Sequence, residues 1–179
     1  MPKKYTLLTG GLGFIGSHTA FELSQQGKPI ILVDNLSNSN LDVFFKIQRL
    51  ATCDVIFYQT DILDTDKIQD IFTKHDIDSV IHFAAYKAVN ESLQKPLEYY
   101  HNNITGLITM INLCLKNNIN QFVFSSSATV YGSATVPFNE TSPVGIGITN
   151  PYGQTKYMAE MILQDVCNAH PQFQCTCLR

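Results

Sequence analysis

The chain has 179 residues, of which 45% are apolar and 15% charged, and its formal net charge is −3. This length suffices for one well-cored domain rather than two, and the regular recurrence of apolar segments excludes a disordered or fibrous protein. Because there is no cluster of basic residues beyond Lys3 and Lys4, the composition offers no electrostatic footprint for nucleic acid or an anionic membrane surface.

The five cysteines are odd in number and lack CxxC spacing, which argues against a disulfide framework and against a zinc site. No apolar stretch approaches the ~18 residues of a membrane span, and the first apolar run is too short for a signal peptide. We therefore predict a cytoplasmic protein that binds neither metal, membrane nor nucleic acid.

Compact apolar runs rich in β-branched residues alternate with longer segments of helical spacing. The predicted strands are residues 5–9, 30–34, 55–59, 79–83, 121–125 and 174–178. The predicted helices are residues 14–26, 41–50, 64–74, 96–116 and 152–166. This alternation predicts an α/β protein, a doubly wound parallel sheet (Rossmann) with helices on both faces.

The only long irregular stretch is residues 132–150, and loops of this length in a compact domain are usually functional. The chain stops directly after the sixth predicted strand, although an open sheet of this class usually needs further chain to cover its ligand crevice. We therefore expect a fragment.

A glycine-rich segment, TGGLGFIGSH, follows the first predicted strand and leads directly into a helix. Gly10, Gly13 and Gly16 allow a tight turn and close approach of a pyrophosphate, whose charge is met by N–H groups at the helix start. Asp34, at the end of the second strand, can accept hydrogen bonds from a ribose and would repel a 2′-phosphate, which favours NAD over NADP. The alternative is a tight structural turn, with Asp34 capping the next segment.

A serine run, Ser125 to Ser127, follows the fifth strand, and Tyr152 and Lys156 lie one turn apart at the start of the last helix. A neighbouring ammonium favours the phenolate form of a tyrosine, so Tyr152 could take a hydroxyl proton while a cofactor takes the hydride. Ser127 could then hydrogen-bond the reacting oxygen. The alternative is an amphipathic helix start with a surface lysine.

The segments TGGLGFIGSH, VDNLSNS, IHFAAYKAVNESLQKPLEYYHNN, FVFSSSATVYG and NPYGQTKYMAE cover nearly the whole chain in order. With them the sequence resembles the extended short-chain dehydrogenase/reductase family, and within it the nucleotide-sugar epimerases. The resemblance implies NAD-dependent epimerisation at C4 of a UDP-hexose, with Ser127, Tyr152 and Lys156 as catalytic residues. It further implies that residues 1–179 form the NAD-binding domain and that a UDP-sugar-binding domain would lie beyond them.

The resemblance also implies a set of cofactor-binding residues at matching positions, and Ser127, Tyr152 and Lys156 belong to this set as well. The others are the three glycines, Phe14, Ile15, Asp34, Asn35, Leu36, Ser37, Asn38, Ser39, Asp61, Ile62, Phe83, Ala84, Ala85, Lys87 and Asn102. Taken singly, several of these could be ordinary core, capping or surface residues. His18 and His82 have no ligand partners in the pattern and are expected to be structural.

Two other functions stay open. A nucleotide-sugar 4,6-dehydratase has the same fold but places carboxylates just after the catalytic serine, where this chain has Ala128 and Thr129. The chain could also be a cofactor-binding module without catalysis. Relatives of this kind commonly dimerise through two long helices, here residues 96–116 and 152–166, so a homodimer is expected.

Overall fold

The computed structural model describes residues 3–179, and its centre is one parallel sheet of six strands. These are β1 (Tyr5–Thr9), β2 (Ile30–Asp34), β3 (Val55–Gln59), β4 (Ile77–His82), β5 (Gln121–Ser125) and β6 (Gln174–Leu178). Their spatial order is β3-β2-β1-β4-β5-β6, so the winding direction reverses between β1 and β4. Sheets of this type bind ligands at such a reversal, outside the carboxyl ends of the strands. The predicted doubly wound parallel fold is confirmed.

The helices are α1 (Phe14–Gln25), α2 (Leu41–Leu50), α3 (Thr65–Lys74), α4 (Val89–Gln94), α5 (Pro96–Tyr100), α6 (Gly106–Lys116) and α7 (Pro151–Ala169). A π-helical turn (His101–Thr105) joins α5 to α6, and a 3₁₀ turn (Ala128–Tyr131) follows β5. Asn40, Asp64 and Asn150 cap α2, α3 and α7, each accepting a backbone N–H of the first turn. Replacing such a cap by alanine costs ~1 kcal/mol, so these side chains help to define where the helices begin.

Each face of the sheet has its own apolar core. On one face, Leu8 and Leu32 pack with Ala20 of α1 and Ile47 of α2. The larger core on the opposite face contains side chains from β1, β2, β4 and β5 together with α3, α6 and α7. Every residue of β2 is buried, which explains why its sequence is a continuous apolar run rather than an alternating one.

Most predicted boundaries agree with the structure, but some were wrong. β4 begins at Ile77 rather than residue 79, because a shift of register lets Ile77 pair with Tyr5. α7 begins one residue earlier than predicted and continues to Ala169. The segment 96–116 is helical as predicted, yet a π-helical turn interrupts it. α4 was not predicted, since its one buried residue is Ser92 and no apolar stripe marks it.

Candidate active site

A cleft of about 480 Å³ opens at the carboxyl ends of the strands, a volume typical of small-molecule and cofactor sites. Its walls come from the segments that follow β1 to β5, from the π-helical turn and from the start of α7. It is lined by most of the predicted site residues: Gly10, Gly13, Phe14, Ile15, Gly16, Asp34, Asn35, Ser37, Asn38, Ile62, Phe83, Ala84, Ala85, Lys87, Asn102, Ser127, Tyr152 and Lys156.

The glycine loop holds the backbone of β1 close to the segment after β4. Gly10 has φ +65°, and a Cβ atom there would lie 2.7 Å from the amide nitrogen of Ala84, so a side chain is excluded on both grounds. No side chain caps α1, and the adjoining Phe14 and Ile15 are exposed by 75% and 58%. The N–H groups of this first turn are therefore available to an anionic ligand.

Asp34 lies at the end of β2, is 7% exposed and borders the cleft. One carboxylate oxygen accepts the amide N–H of Leu12 (3.0 Å). The other accepts the amide N–H of Leu36 (3.0 Å) and the hydroxyl of Ser39 (2.8 Å). Asp34 thus organises the glycine loop and the following turn, and a carboxylate with about four acceptor sites keeps capacity for a ligand.

Three predicted site residues do not line the cleft and lie behind residues that do. Leu36 and Ser39 donate to the Asp34 carboxylate as described, and Leu36 packs against the smaller core. Asp61 accepts the side-chain amide of Asn35 (2.8 Å) and the amide N–H of Leu63 (2.9 Å). These three residues support the end of the cleft next to Asp34 without lining it.

Lys156 is 4% exposed although it carries an amine. Its Nζ atom donates to the carbonyl oxygen of Ser125 (2.6 Å) and lies 4.7 Å from the ring centroid of Phe124 and 5.9 Å from that of Tyr152. Burial lowers the pKa of Lys156 to about 8, because the charged form loses hydration. At neutral pH the amine is still mostly an ammonium, so the cleft holds a positive charge beside Tyr152.

Ser127 lies two residues after the end of β5, directly before the 3₁₀ turn. Its hydroxyl oxygen accepts hydrogen bonds from the amide N–H (3.2 Å) and the hydroxyl (3.0 Å) of Thr129, and so caps the 3₁₀ turn. The hydroxyl proton of Ser127 is therefore left to donate to a group in the cleft. Ser127, Tyr152 and Lys156 line the same cavity, as the sequence predicted.

Asn102 reaches the cleft from the π-helical turn and is 7% exposed. Its side-chain amide donates to Asn103 (2.9 Å), which in turn binds the backbone of Tyr86 and the hydroxyl of Thr155 (3.0 Å). A π-helical turn adds a residue to the helix and rotates the side chains that follow, and such turns are frequent at functional sites. This network links the long helix, the segment after β4 and α7.

The histidines and cysteines singled out in the sequence make contacts within the protein. His82 is 1% exposed, its Nδ1 atom pairs with the hydroxyl of Thr9 (2.8 Å), and burial lowers its pKa to about 3. His18 pairs with the carbonyl oxygen of Phe14 (2.8 Å). Cys175 and Cys177 alternate with exposed residues on β6 and pack against the larger core, as expected.

Two kinds of feature are absent from the residues that the structure describes. Across residues 3–179, no three His, Cys, Asp or Glu side chains come together in a way that could hold a metal ion. None of the helices described has both the length and the apolar character needed to cross a membrane.

The sequence prediction missed five residues that line the cleft. They are Val33, Thr60, Tyr86, Ser125 and Ser126. Four of them directly adjoin a predicted site residue, and Ser125 lies two residues before Ser127, so the ends of the predicted strands were the signal that could have found them. Which neighbour faces the cleft depends on the local backbone direction after each strand, which motif spacing does not reveal.

The chain is similar to known proteins over almost its whole length. The family model described as "NAD dependent epimerase/dehydratase family" matches residues 6–179. The UDP-glucose 4-epimerase of Erwinia amylovora is 46% identical over 174 residues, which are 97% of this chain and 51% of that protein. That of Pasteurella multocida is 50% identical with the same coverage. The chain spans about half the length of the curated relatives it matches.

Solved structures show the same extent of similarity. The UDP-glucose 4-epimerase of Bifidobacterium longum, in complex with NAD+ and UDP, superposes with a TM-score of 0.95 at 41% identity, covering 98% of this chain and 52% of that one. The UDP-Glc/GlcNAc 4-epimerase of Campylobacter jejuni gives a TM-score of 0.91 at 36% identity, with coverage of 98% and 53%.

Proposed function

Since this chain belongs to the NAD dependent epimerase/dehydratase family, we propose that it carries the cofactor-binding and catalytic residues of a UDP-glucose 4-epimerase. The observation that carries the proposal is one cleft that combines a glycine loop with Ser127, Tyr152 and Lys156. UDP-glucose and UDP-galactose are the proposed substrates, since the full-length relatives bear that activity in their names.

NAD is the proposed cofactor, and the residues present fit it. The excluded Cβ at Gly10 and the uncapped first turn of α1 suit a pyrophosphate. Asp34, with residues 35–39 and 61–62, would hold the adenosine half, and Phe83, Ala84, Ala85, Lys87 and Asn102 would line the path to the nicotinamide. A carboxylate at position 34 disfavours the 2′-phosphate of NADP.

In the proposed reaction Tyr152, as general base, takes the proton of the C4 hydroxyl of the hexose and later returns it. NAD, when bound, supplies the acceptor and donor of the hydride. Lys156 favours the phenolate form of Tyr152 through its charge, and Ser127 donates its free hydroxyl proton to the oxygen that becomes the ketone. Because the ketone is reduced again on its other face, the net redox change is nil.

UDP-sugar recognition would need residues beyond the matched half. On this proposal residues 1–179 form the NAD-binding domain, and the UDP-sugar-binding domain belongs to the part that the relatives have in addition. The coverage of about half of each relative supports this division. The five free cysteines suit a reducing cytoplasm, which is the proposed location.

A 4,6-dehydratase is less well supported. Ala128 is exposed and apolar, and the hydroxyl of Thr129 is bound to Ser127, so neither position offers the acid that water elimination requires. A cofactor-binding module without catalysis is the second candidate for this chain, because it spans half of the catalytically complete relatives.

We further propose a homodimer through the helical segments 96–116 and 152–166. Apolar side chains lie exposed on both: Leu97 (81%), Ile108 (41%), Met158 (40%) and Met161 (50%). Burying an exposed apolar surface of this kind favours association.

The proposal is tested first by binding. The purified chain should bind NAD+ with a stoichiometry of one, measured by calorimetry, and should convert UDP-galactose slowly or not at all. Failure to bind NAD+ would contradict the proposal, whereas turnover typical of the full-length relatives would contradict only the division into two domains.

The general base is tested in a protein that extends this chain to the full length of the relatives. Tyr152→Phe should retain NAD+ binding and lower turnover by about 10²- to 10⁴-fold, the usual contribution of a general base. Unchanged turnover would exclude Tyr152 as the base, and Tyr157→Phe on the same helix serves as the matched control.

A further inference from the structure

Glu160 lies one helical turn beyond Lys156 on α7, so Tyr152, Lys156 and Glu160 succeed one another along the helix at intervals of four. The functional assignments above give it no role. Its side chain is only 10% exposed, which is unusual for a carboxylate on a helix surface and requires a partner.

That partner is Arg179. One carboxylate oxygen of Glu160 accepts from Arg179 Nε (3.0 Å), the other accepts from Arg179 Nη2 (2.8 Å), and the Arg179 side chain is 24% exposed. This is a bidentate pair, the strongest geometry between these groups. The guanidinium also lies 5.3 Å from the ring centroid of Tyr131.

The same carboxylate reaches the catalytic strand end, since it accepts the hydroxyl proton of Ser126. The amide N–H of Ser126 donates to the carbonyl of Leu178 on the neighbouring strand (2.7 Å). The carbonyl of Ser125 accepts the ammonium of Lys156. Ser126 is therefore fixed on both sides, directly between the residue that holds Lys156 and the proposed catalytic Ser127.

We propose that Glu160 and Arg179 are a positioning pair, which clamps residues 125–127 against α7 and so fixes Lys156 and Ser127 relative to Tyr152. The proposal rests on the catalytic roles assigned above. A purely stabilising role explains the pair less well, because a partly exposed ion pair adds little net free energy once the cost of desolvation is included.

The ionisation of Lys156 reports on the clamp. The titratable groups that face its amine are Tyr152 on α7, with its ring centroid 5.9 Å away, and His82 on β4, which is neutral because burial lowers its pKa to about 3. If the clamp opens, water reaches the amine and the pKa of Lys156 rises from about 8 towards 10.5. If Glu160 acted only through its charge, its removal would instead lower the pKa of Lys156.

The experiment measures lysine acetylation against pH by mass spectrometry, since the pH midpoint of labelling does not depend on access. Two variants are compared with the unaltered chain: Glu160→Gln, which removes the charge, and Ser126→Ala, which cuts the link to the strand and keeps the charge. Both should raise the midpoint for Lys156 by about one unit. Asp165→Asn, exposed on the same helix, is the matched control and should leave it unchanged.

Binding provides a second readout. Both variants should weaken NAD+ binding by roughly fivefold, the effect of one lost hydrogen bond, and leave ADP binding unchanged, because ADP occupies only the adenosine end. A lower midpoint in Glu160→Gln, an unchanged midpoint in Ser126→Ala, or equal losses for NAD+ and ADP would overturn the proposal. If Glu160→Gln does not fold, Ser126→Ala carries the test. Absence of NAD+ and ADP binding in the unaltered chain would instead contradict the proposed function.

Discussion

Lys156 is expected to lower the stability of the folded chain. Its amine is buried and charged at neutral pH, so replacing it by a methionine of similar length removes the cost of burying that charge. The displacement of its pKa from 10.5 to about 8 corresponds to a cost of about 3 kcal/mol at neutral pH. Lys156→Met also leaves the carbonyl of Ser125 without its donor, which costs about 1–3 kcal/mol, so a net gain of about 1 kcal/mol is expected at pH 7.

The dependence on pH tests this reasoning more sharply than the gain itself. Because the pKa of Lys156 is lower in the folded state, the unfolded chain binds more protons between pH 8 and pH 10.5, and the free energy of unfolding rises with pH across this window. Between pH 7 and pH 10 this rise amounts to about 2–3 kcal/mol. Lys156→Met lacks this rise in the free energy of unfolding, so it should no longer be more stable than the unaltered chain at pH 10.

Urea unfolding at pH 7 and pH 10, followed by circular dichroism, measures the difference in the free energy of unfolding between Lys156→Met and the unaltered chain. Other groups that titrate in this range cancel in the comparison of the variant with the unaltered chain. Lys46→Met, at an exposed position of α2, is the matched control and should change stability equally at both pH values. If Lys156→Met changes the free energy of unfolding by the same amount at pH 7 and at pH 10, the amine of Lys156 is not a buried ammonium. The variant should also bind NAD+ more weakly, which is the functional cost of the added stability.

Three further predictions concern the cleft and the proposed dimer. Gly10→Ala should lower NAD+ affinity at least tenfold and the melting temperature by several degrees, because φ is +65° and the backbone of Ala84 blocks the new Cβ. An NAD+ dissociation constant and a melting temperature equal to those of the unaltered chain would contradict this. Asp34→Asn should narrow the preference for NAD+ over NADP+ about tenfold, since the repulsion of a 2′-phosphate is lost; an unchanged ratio of the two dissociation constants would argue against its selectivity role. Leu97→Glu should convert the proposed dimer to a monomer in sedimentation velocity, whereas Phe45→Glu, at a position on α2 that is 54% exposed, should not; equal masses of the two variants would exclude this interface.

Local signals made much of the molecule predictable. The boundaries of β1, β2, β3, β5 and β6 agree with the sequence pattern, because a strand buried on both faces such as β2 is a continuous apolar run and an edge strand such as β6 alternates apolar with polar residues. The helix starts follow capping side chains such as Asn40 and Asn150. The glycine loop is equally local, since a positive φ and close backbone contact leave few alternatives to glycine.

The sequence alone therefore determined the order of the elements, the family resemblance and most of the residues around the cleft. Only the tertiary structure decided which neighbours face the cleft and which stand behind it, as Thr60 and Asp61 illustrate. It also revealed that Lys156 is buried, that a π-helical turn precedes α6, and that Glu160 joins Ser126 to Arg179. The physical reason is that periodicity and capping act within a few residues, whereas these contacts join segments that are distant along the chain and meet only when the sheet is assembled.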